Sequence, residues 1–210
     1  MKWSEGSPDP VTRTFPQNPH LPTLPAVTIP SHEFERLRRA VTGRSRSGLV
    51  LQPELSEAER ERLATLVGRR AAGEPLQYLE ETVDFGPLTL KIDRRALIPR
   101  PETERVWEEA VSSLREAGSG TVIVDLGTGS GVLALGLKHS FPAARVIGVD
   151  VSADALSLAR ENGEATGLEV EWIEGDLFDA LPRTLEGRID LIVSNPPYVA
   201  TGDDLPTEIV

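Results

Sequence analysis

At 210 residues the chain has room for one sizeable domain and a smaller one. Its 39% hydrophobic and 26% charged content is ordinary for a globular protein. No membrane span, secretory leader or disulfide is expected, and the absence of cysteine excludes thiolate metal sites and fits a cytoplasmic setting. The net charge of −11 argues against a general grip on nucleic acid, so a protein or small-molecule substrate is the expectation. His20, His32 and His139 show no metal-ligand spacing, and no metal is expected.

Residues 1–30 are rich in proline, which opposes helix and sheet alike, and read as an extended or disordered stretch. Residues 31–74 read as a small helical domain. Phe34, Leu37, Arg38 and Val41 share one face of a first helix. Ser56 and Glu59 form a capping-box pattern that opens a second helix to about Ala72, with Leu63, Leu66 and Val67 as its apolar stripe and Gly73 as its stop. Residues 75–100 read as a linker built on a β-hairpin, Thr82–Phe85 and Leu88–Ile92 around Gly86-Pro87. The segment Leu97 to Glu104 follows, stiffened by Pro99 and Pro101. Pro101 is suited to open a helix whose buried face is Val106, Trp107, Ala110, Val111 and Leu114.

From Thr121 strands and helices alternate: strand 121–126, helix 131–140, strand 145–150, helix from Ser152 to about Thr166, strand 169–173, a loop over 176–188, and strand 189–194. That rhythm predicts a parallel α/β sheet with right-handed crossovers over 101–210. After the first strand come Gly127, Thr128, Gly129, Ser130 and Gly131. Val132 stands where the dinucleotide fingerprint needs glycine, so the loop is G-x-G-x-G. Asp150 ends the second strand, the position from which a carboxylate in this architecture accepts ribose hydroxyls.

Asn195-Pro196-Pro197-Tyr198 closes the fourth strand. A residue before proline is driven out of helical space, so Asn195 and Pro196 are held extended. The amide oxygen of Asn195 and the carbonyl of Pro196 can then accept both hydrogens of an –NH₂ group, with the Tyr198 ring as a flat wall.

The G-x-G-x-G loop resembles the S-adenosylmethionine loop of Rossmann-like methyltransferases. The chain from about Val41 to Tyr198 resembles the methyltransferases that modify the glutamine of the Gly-Gly-Gln loop in peptide chain release factors. The matching pieces are Arg69 to Tyr78, Leu97 to Glu104, Asp125 to Gly131, Asp150, Gly175 to Phe178, and Asn195 to Tyr198. Asn-Pro-Pro-Tyr is shared with adenine-N6 DNA methyltransferases and a ribosomal-protein glutamine methyltransferase, whereas Ile98 to Glu104 is the piece specific to the release-factor branch.

The resemblance implies an α/β Rossmann-like S-adenosylmethionine-dependent methyltransferase sheet behind a helical docking domain. It implies a cofactor site of Gly127, Thr128, Gly129, Ser130, Gly131, Asp150, Asp176, Leu177 and Asn195. Asp176 would lie near the adenine amino group and Leu177 against the ring. Asn195, Pro196, Pro197 and Tyr198 would hold the glutamine, with Asn195, Pro196 and Tyr198 acting in catalysis and a release factor as partner. The family continues with a fifth strand and a final antiparallel pair, so the chain reads as truncated at Val210. The alternatives are an adenine-N6 nucleic-acid methyltransferase, or a fragment that binds cofactor or release factor without turnover.

Overall fold

The structure is a computed structural model that describes residues 29–114 and 117–196. It divides into two compact units at Glu80–Glu81.

The first unit is helical. Helix α1 (Ser31–Thr42) starts behind Pro30 and stops at Gly43, whose φ of 65° supplies the left-handed turn. Helix α2 (Arg46–Leu51) is capped by Ser45. Helix α3 (Glu57–Ala71) begins with the expected capping box: Ser56 Oγ accepts from the Glu59 amide, and a Glu59 carboxylate oxygen accepts from the Ser56 amide at 2.7 Å. Helix α4 (Leu76–Glu80) buries Leu76 and Leu79. Leu37, Leu63, Leu66, Val67, Leu76 and Leu79 make one apolar core, with Ile29 entering it. Helices α2 and α4 were not anticipated, because five or six residues are too few to display a helical period. The extended stretch expected over 1–30 falls, apart from Ile29 and Pro30, outside the described residues.

Several charged residues of this unit close on one another. Arg70 clamps Glu33 with two hydrogen bonds, at 2.7 and 2.9 Å, joining the end of α3 to the start of α1. The guanidinium holds the Glu33 carboxyl below its ordinary pKa. Arg69 makes a second bidentate pair with Glu74. The Arg69-to-Glu74 stretch thus has a structural task within the helical unit.

The second unit opens with the antiparallel hairpin β1 (Thr82–Phe85) and β2 (Leu88–Lys91). Helix α5 (Pro101–Ser113) follows, with Pro at its first position. The parallel strands are β3 (Val122–Leu126), β4 (Arg145–Asp150), β5 (Glu171–Glu174) and β6 (Leu191–Ser194), ordered β5-β4-β3-β6. Helix α6 (Val132–Ser140) connects β3 to β4 and helix α7 (Ala153–Thr166) connects β4 to β5. Ser152 caps α7 through the Ala155 amide, as its position suggested.

Strand β3 is buried along its whole length and its side chains alternate between two cores. Ile123 joins Phe85, Leu133, Leu137 and Val146 in one; Val122, Val124 and Leu126 join Ile147, Val149 and Leu185 in the other. Period-two alternation with apolar residues on both faces is what a central strand covered on both sides requires. The segment expected as plain loop after β5 contains two short 3₁₀ turns, Leu177–Ala180 and Arg183–Leu185, the second burying Leu185. Strand β5 itself starts at Glu171 rather than at 169, although Val170 packs on the core.

Candidate functional site

Four parallel strands deliver their following residues to one edge of the sheet, the carboxyl edge at which such folds bind ligands. After β3 comes the glycine loop, at the end of β4 stands Asp150, after β5 lie Asp176 and Leu177, and after β6 lies Asn195. Register pairs Leu126 with Ser194 and Asp150 with Glu174, so these ends are level. Ser194 Oγ also donates to the Leu126 carbonyl at 2.8 Å, tying the last turn of β6 to the root of the loop.

The loop is held from several sides. The amides of Gly127 and Thr128 donate to the Val149 carbonyl at 2.8 and 2.9 Å. The Gly129 amide donates to Asp150 Oδ2 at 2.8 Å, and the Ser152 amide to Oδ1 at 2.9 Å. Each Asp150 oxygen has a second lone pair with which to accept a hydroxyl. Asn162 of α7, 1% exposed, donates from Nδ2 to the Ser130 and Lys91 carbonyls and accepts the Lys91 amide at Oδ1, fastening the loop and the hairpin to one helix.

Its three glycines serve two purposes. All have positive φ: 71° at Gly127, 56° at Gly129 and 84° at Gly131. A Cβ at Gly127 or Gly129 would meet nothing within 4 Å, whereas one at Gly131 would lie 2.8 Å from the Trp172 ring. A Cβ at Gly148 would lie 2.5 Å from the same ring. Gly131 and Gly148 therefore make a slot for the indole beneath the loop, while Gly127 and Gly129 face open space where a guest can lie against bare backbone. This cradle fits the cofactor that the loop resembles, and the Asp150 carboxylate stands beside it.

Behind the loop Asp125 is wholly buried. Its Oδ2 accepts the Thr128 hydroxyl at 2.6 Å and the Ala134 amide at 3.2 Å, while Oδ1 has no protein partner. Burial raises its pKa to about 7, partly offset by the two donors and reinforced by the negative charge of Asp150.

After β5, Asp176 is exposed and Leu177 adopts a φ of 43°, a left-handed conformation that a leucine rarely takes. Leu177 and Phe178 are 48% and 57% exposed. They are therefore not core residues, and an exposed apolar pair on strained backbone at the ligand edge is suited to a flat apolar guest.

Asn195 is half-buried, and its Nδ2 donates to the Thr103 hydroxyl of α5 at 2.6 Å. Pro196 is exposed beside it, while Pro197 and Tyr198 lie outside the described residues.

Two family models match: PrmC N-terminal domain over residues 24–79, and Methyltransferase small domain over residues 110–210. Relatives named release factor glutamine methyltransferase include one from Deinococcus radiodurans, 42% identical over 183 residues that cover 86% of this chain and 64% of the relative. Those from Geobacter sulfurreducens and Mycolicibacterium smegmatis are 42% and 47% identical, covering 81% and 69% of this chain and 59% and 50% of theirs. The chain belongs to the release factor glutamine methyltransferase family. It spans about three fifths of the length of the first two relatives and half of the third. Among solved structures, a T. Thermophilus 16S rRNA N2 G1207 methyltransferase in complex with AdoMet and guanosine is 24% identical, with a TM-score of 0.48 over 61% of this chain and 35% of that one.

For a release factor glutamine methyltransferase relative, the sequence left four positions at the site unremarked in their own right. Thr103, Trp172 and Asn162 work through partners distant in the chain, so no local spacing announces them. Asp125 alone carried a signal, an acid at the end of an apolar strand.

Among the described residues no helix is long and apolar enough to cross a membrane.

Proposed function

We propose that this chain carries the cofactor site and the acceptor corner of an S-adenosylmethionine-dependent methyltransferase whose substrate is the side-chain amide of the Gly-Gly-Gln glutamine in a peptide chain release factor. The observation that carries the reading is the placement of Asn195 directly after β6, the strand that pairs with the one leading into the glycine loop, with its amide engaged by Thr103. The names of the relatives support a release factor as the substrate, and with it a cytoplasmic setting.

In this reading Gly127 to Gly131 carry the cofactor on bare backbone, Asp150 accepts the ribose hydroxyls, and Asp176 and Leu177 flank the adenine. When bound, S-adenosylmethionine supplies a methyl group activated by a sulfonium sulfur. An amide nitrogen is a poor nucleophile because its lone pair is delocalised into the carbonyl. Asn195 Oδ1 and the Pro196 carbonyl accept its two hydrogens, aim the nitrogen and steady the positive charge that develops on it. Holding the reacting atoms in line contributes much of the remaining acceleration. No strong base is needed, since an alkylated amide nitrogen is acidic and releases its proton to water. Pro197 and Tyr198 complete the corner by the resemblance.

The test is a labelled-methyl assay offering release factor, ribosomal protein and DNA in parallel. Label in the release factor, lost by at least ~100-fold in Asn195→Ala, is the expected result. Label in DNA alone would replace this reading with the adenine one. Cofactor binding by calorimetry without transfer to any substrate would reduce the chain to a binding module.

A further inference from the structure

The reaction above gives the segment Ile98 to Glu104 no task. Thr103 lies in the first turn of α5 and is 4% exposed. A buried hydroxyl on a helix that is amphipathic elsewhere needs a partner, and its partner is the Asn195 amide, 2.6 Å away across 92 residues of chain.

We infer that Thr103 is the positioning residue of the acceptor corner, pinning the Asn195 carboxamide just past β6 so that it meets the substrate from a fixed position. The inference rests on the reading of Asn195 as the group that binds the glutamine amide. Nδ2 of Asn195 donates to the Thr103 hydroxyl, and that contact restrains the rotation of the side chain. An amide left to swing would aim the substrate nitrogen poorly at the moment positive charge develops on it.

The helix that carries Thr103 is anchored to the body that carries the glycine loop. One residue on, a Glu104 carboxylate oxygen accepts the Gly86 amide at 3.0 Å, fixing the first turn of α5 to the hairpin turn. Trp107 lies so close to that turn that a Cβ on Gly86 would stand 2.9 Å from its ring. The same indole donates to Ser140 Oγ at 3.2 Å, at the far end of α6, and α6 leads directly out of the loop. The Thr103 hydroxyl therefore refers the acceptor amide to the same frame as the cofactor cradle. A threonine is suited to this, because its branched Cβ restricts the side chain to few rotamers.

The experiment compares wild type, Thr103→Val, Thr103→Ser and Asn195→Ala in the same chain. Two readouts are taken: methyl transfer to a release factor, and the side-chain amide signals of Asn195 in ¹H–¹⁵N spectra, which need no turnover. Thr103→Val keeps the shape and removes the hydroxyl. It is expected to lower kcat about tenfold with KM for S-adenosylmethionine unchanged, and to displace the Asn195 amide pair. Thr103→Ser restores the hydroxyl and is expected to recover most of the rate and the wild-type amide signals. A Thr103→Val protein whose kcat and Asn195 signals both match wild type overturns the positioning role and leaves the acceptor reading standing. Undiminished transfer by Asn195→Ala overturns the acceptor reading and the inference with it. If the chain shows no turnover, the amide signals decide: displacement in the valine variant and recovery in the serine variant support the role, and unmoved signals sink it.

Discussion

The helical unit and the carboxyl edge of the sheet treat their polar groups in opposite ways. In the helical unit, arginines and glutamates find each other: Arg70 with Glu33, Arg69 with Glu74, Arg36 with Glu80 at 2.7 Å. The charges there serve to hold helices to helices. At the carboxyl edge of the sheet, by contrast, polar groups hold a loop whose first two glycines face open space, and one carboxylate oxygen, Asp125 Oδ1, is buried without a protein partner. Pairing that completes itself is a sign of structure, whereas a braced frame around open backbone is a sign of a guest. That contrast separates the motifs that the sequence presents alike.

The largest effect is expected where the frame faces open space. Gly129→Val places a branched side chain at a φ of 56° and in the volume proposed for the cofactor. Affinity for S-adenosylhomocysteine by calorimetry should fall by at least ~100-fold, while the melting temperature drops only as far as one strained residue requires. Retained affinity would mean that the cradle is not where the ligand lies.

Arg70→Ala probes the opposite case. It leaves Glu33 poorly solvated without its clamp and should destabilise the helical unit by about 2 kcal/mol, read from denaturant midpoints. Cofactor affinity should be unchanged. A matching loss of affinity would show that the pair does more than hold its own unit together.

A smaller, pH-dependent effect is expected at Asp125. Its pKa in the folded state is raised to about 7 from an ordinary 3.8, so the folded state keeps the proton that the unfolded state has released. Stability from this group is therefore greatest below about pH 4, falls as pH rises toward 7, and levels off above it. Asp125→Asn cannot titrate. The difference between the wild-type and variant stability curves should slope across that window and be flat above it; a difference without slope would show that the buried acid does not titrate there.

Much of the sheet unit was legible in advance because its cues are local. The run Val122-Ile123-Val124, the G-x-G-x-G loop, Ser152 as a cap and the strand before Asn195 each declare themselves within a few neighbours. The capping box at Ser56 and Glu59 did the same for α3. Short helices α2 and α4 were not legible, since nothing periodic fits in five or six residues and the apolar side chains of α4 make sense only against α1 and α3. Leu177 shows a subtler limit. Its type does not tell a core residue from a surface one, and only the structure shows it exposed on left-handed backbone.

What the sequence determined by itself is the order of the strands and longer helices, the loop chemistry and the resemblance, because strand and helix periods, glycine spacing and proline restrictions act between neighbours along the chain. The tertiary structure alone decided that a side chain at Gly131 would collide with Trp172, that Asn162 joins the hairpin to the loop, and that Thr103 engages Asn195. These contacts join residues tens of positions apart, and a hydrogen bond or a van der Waals slot of that kind exists only once the sheet has set its strands side by side.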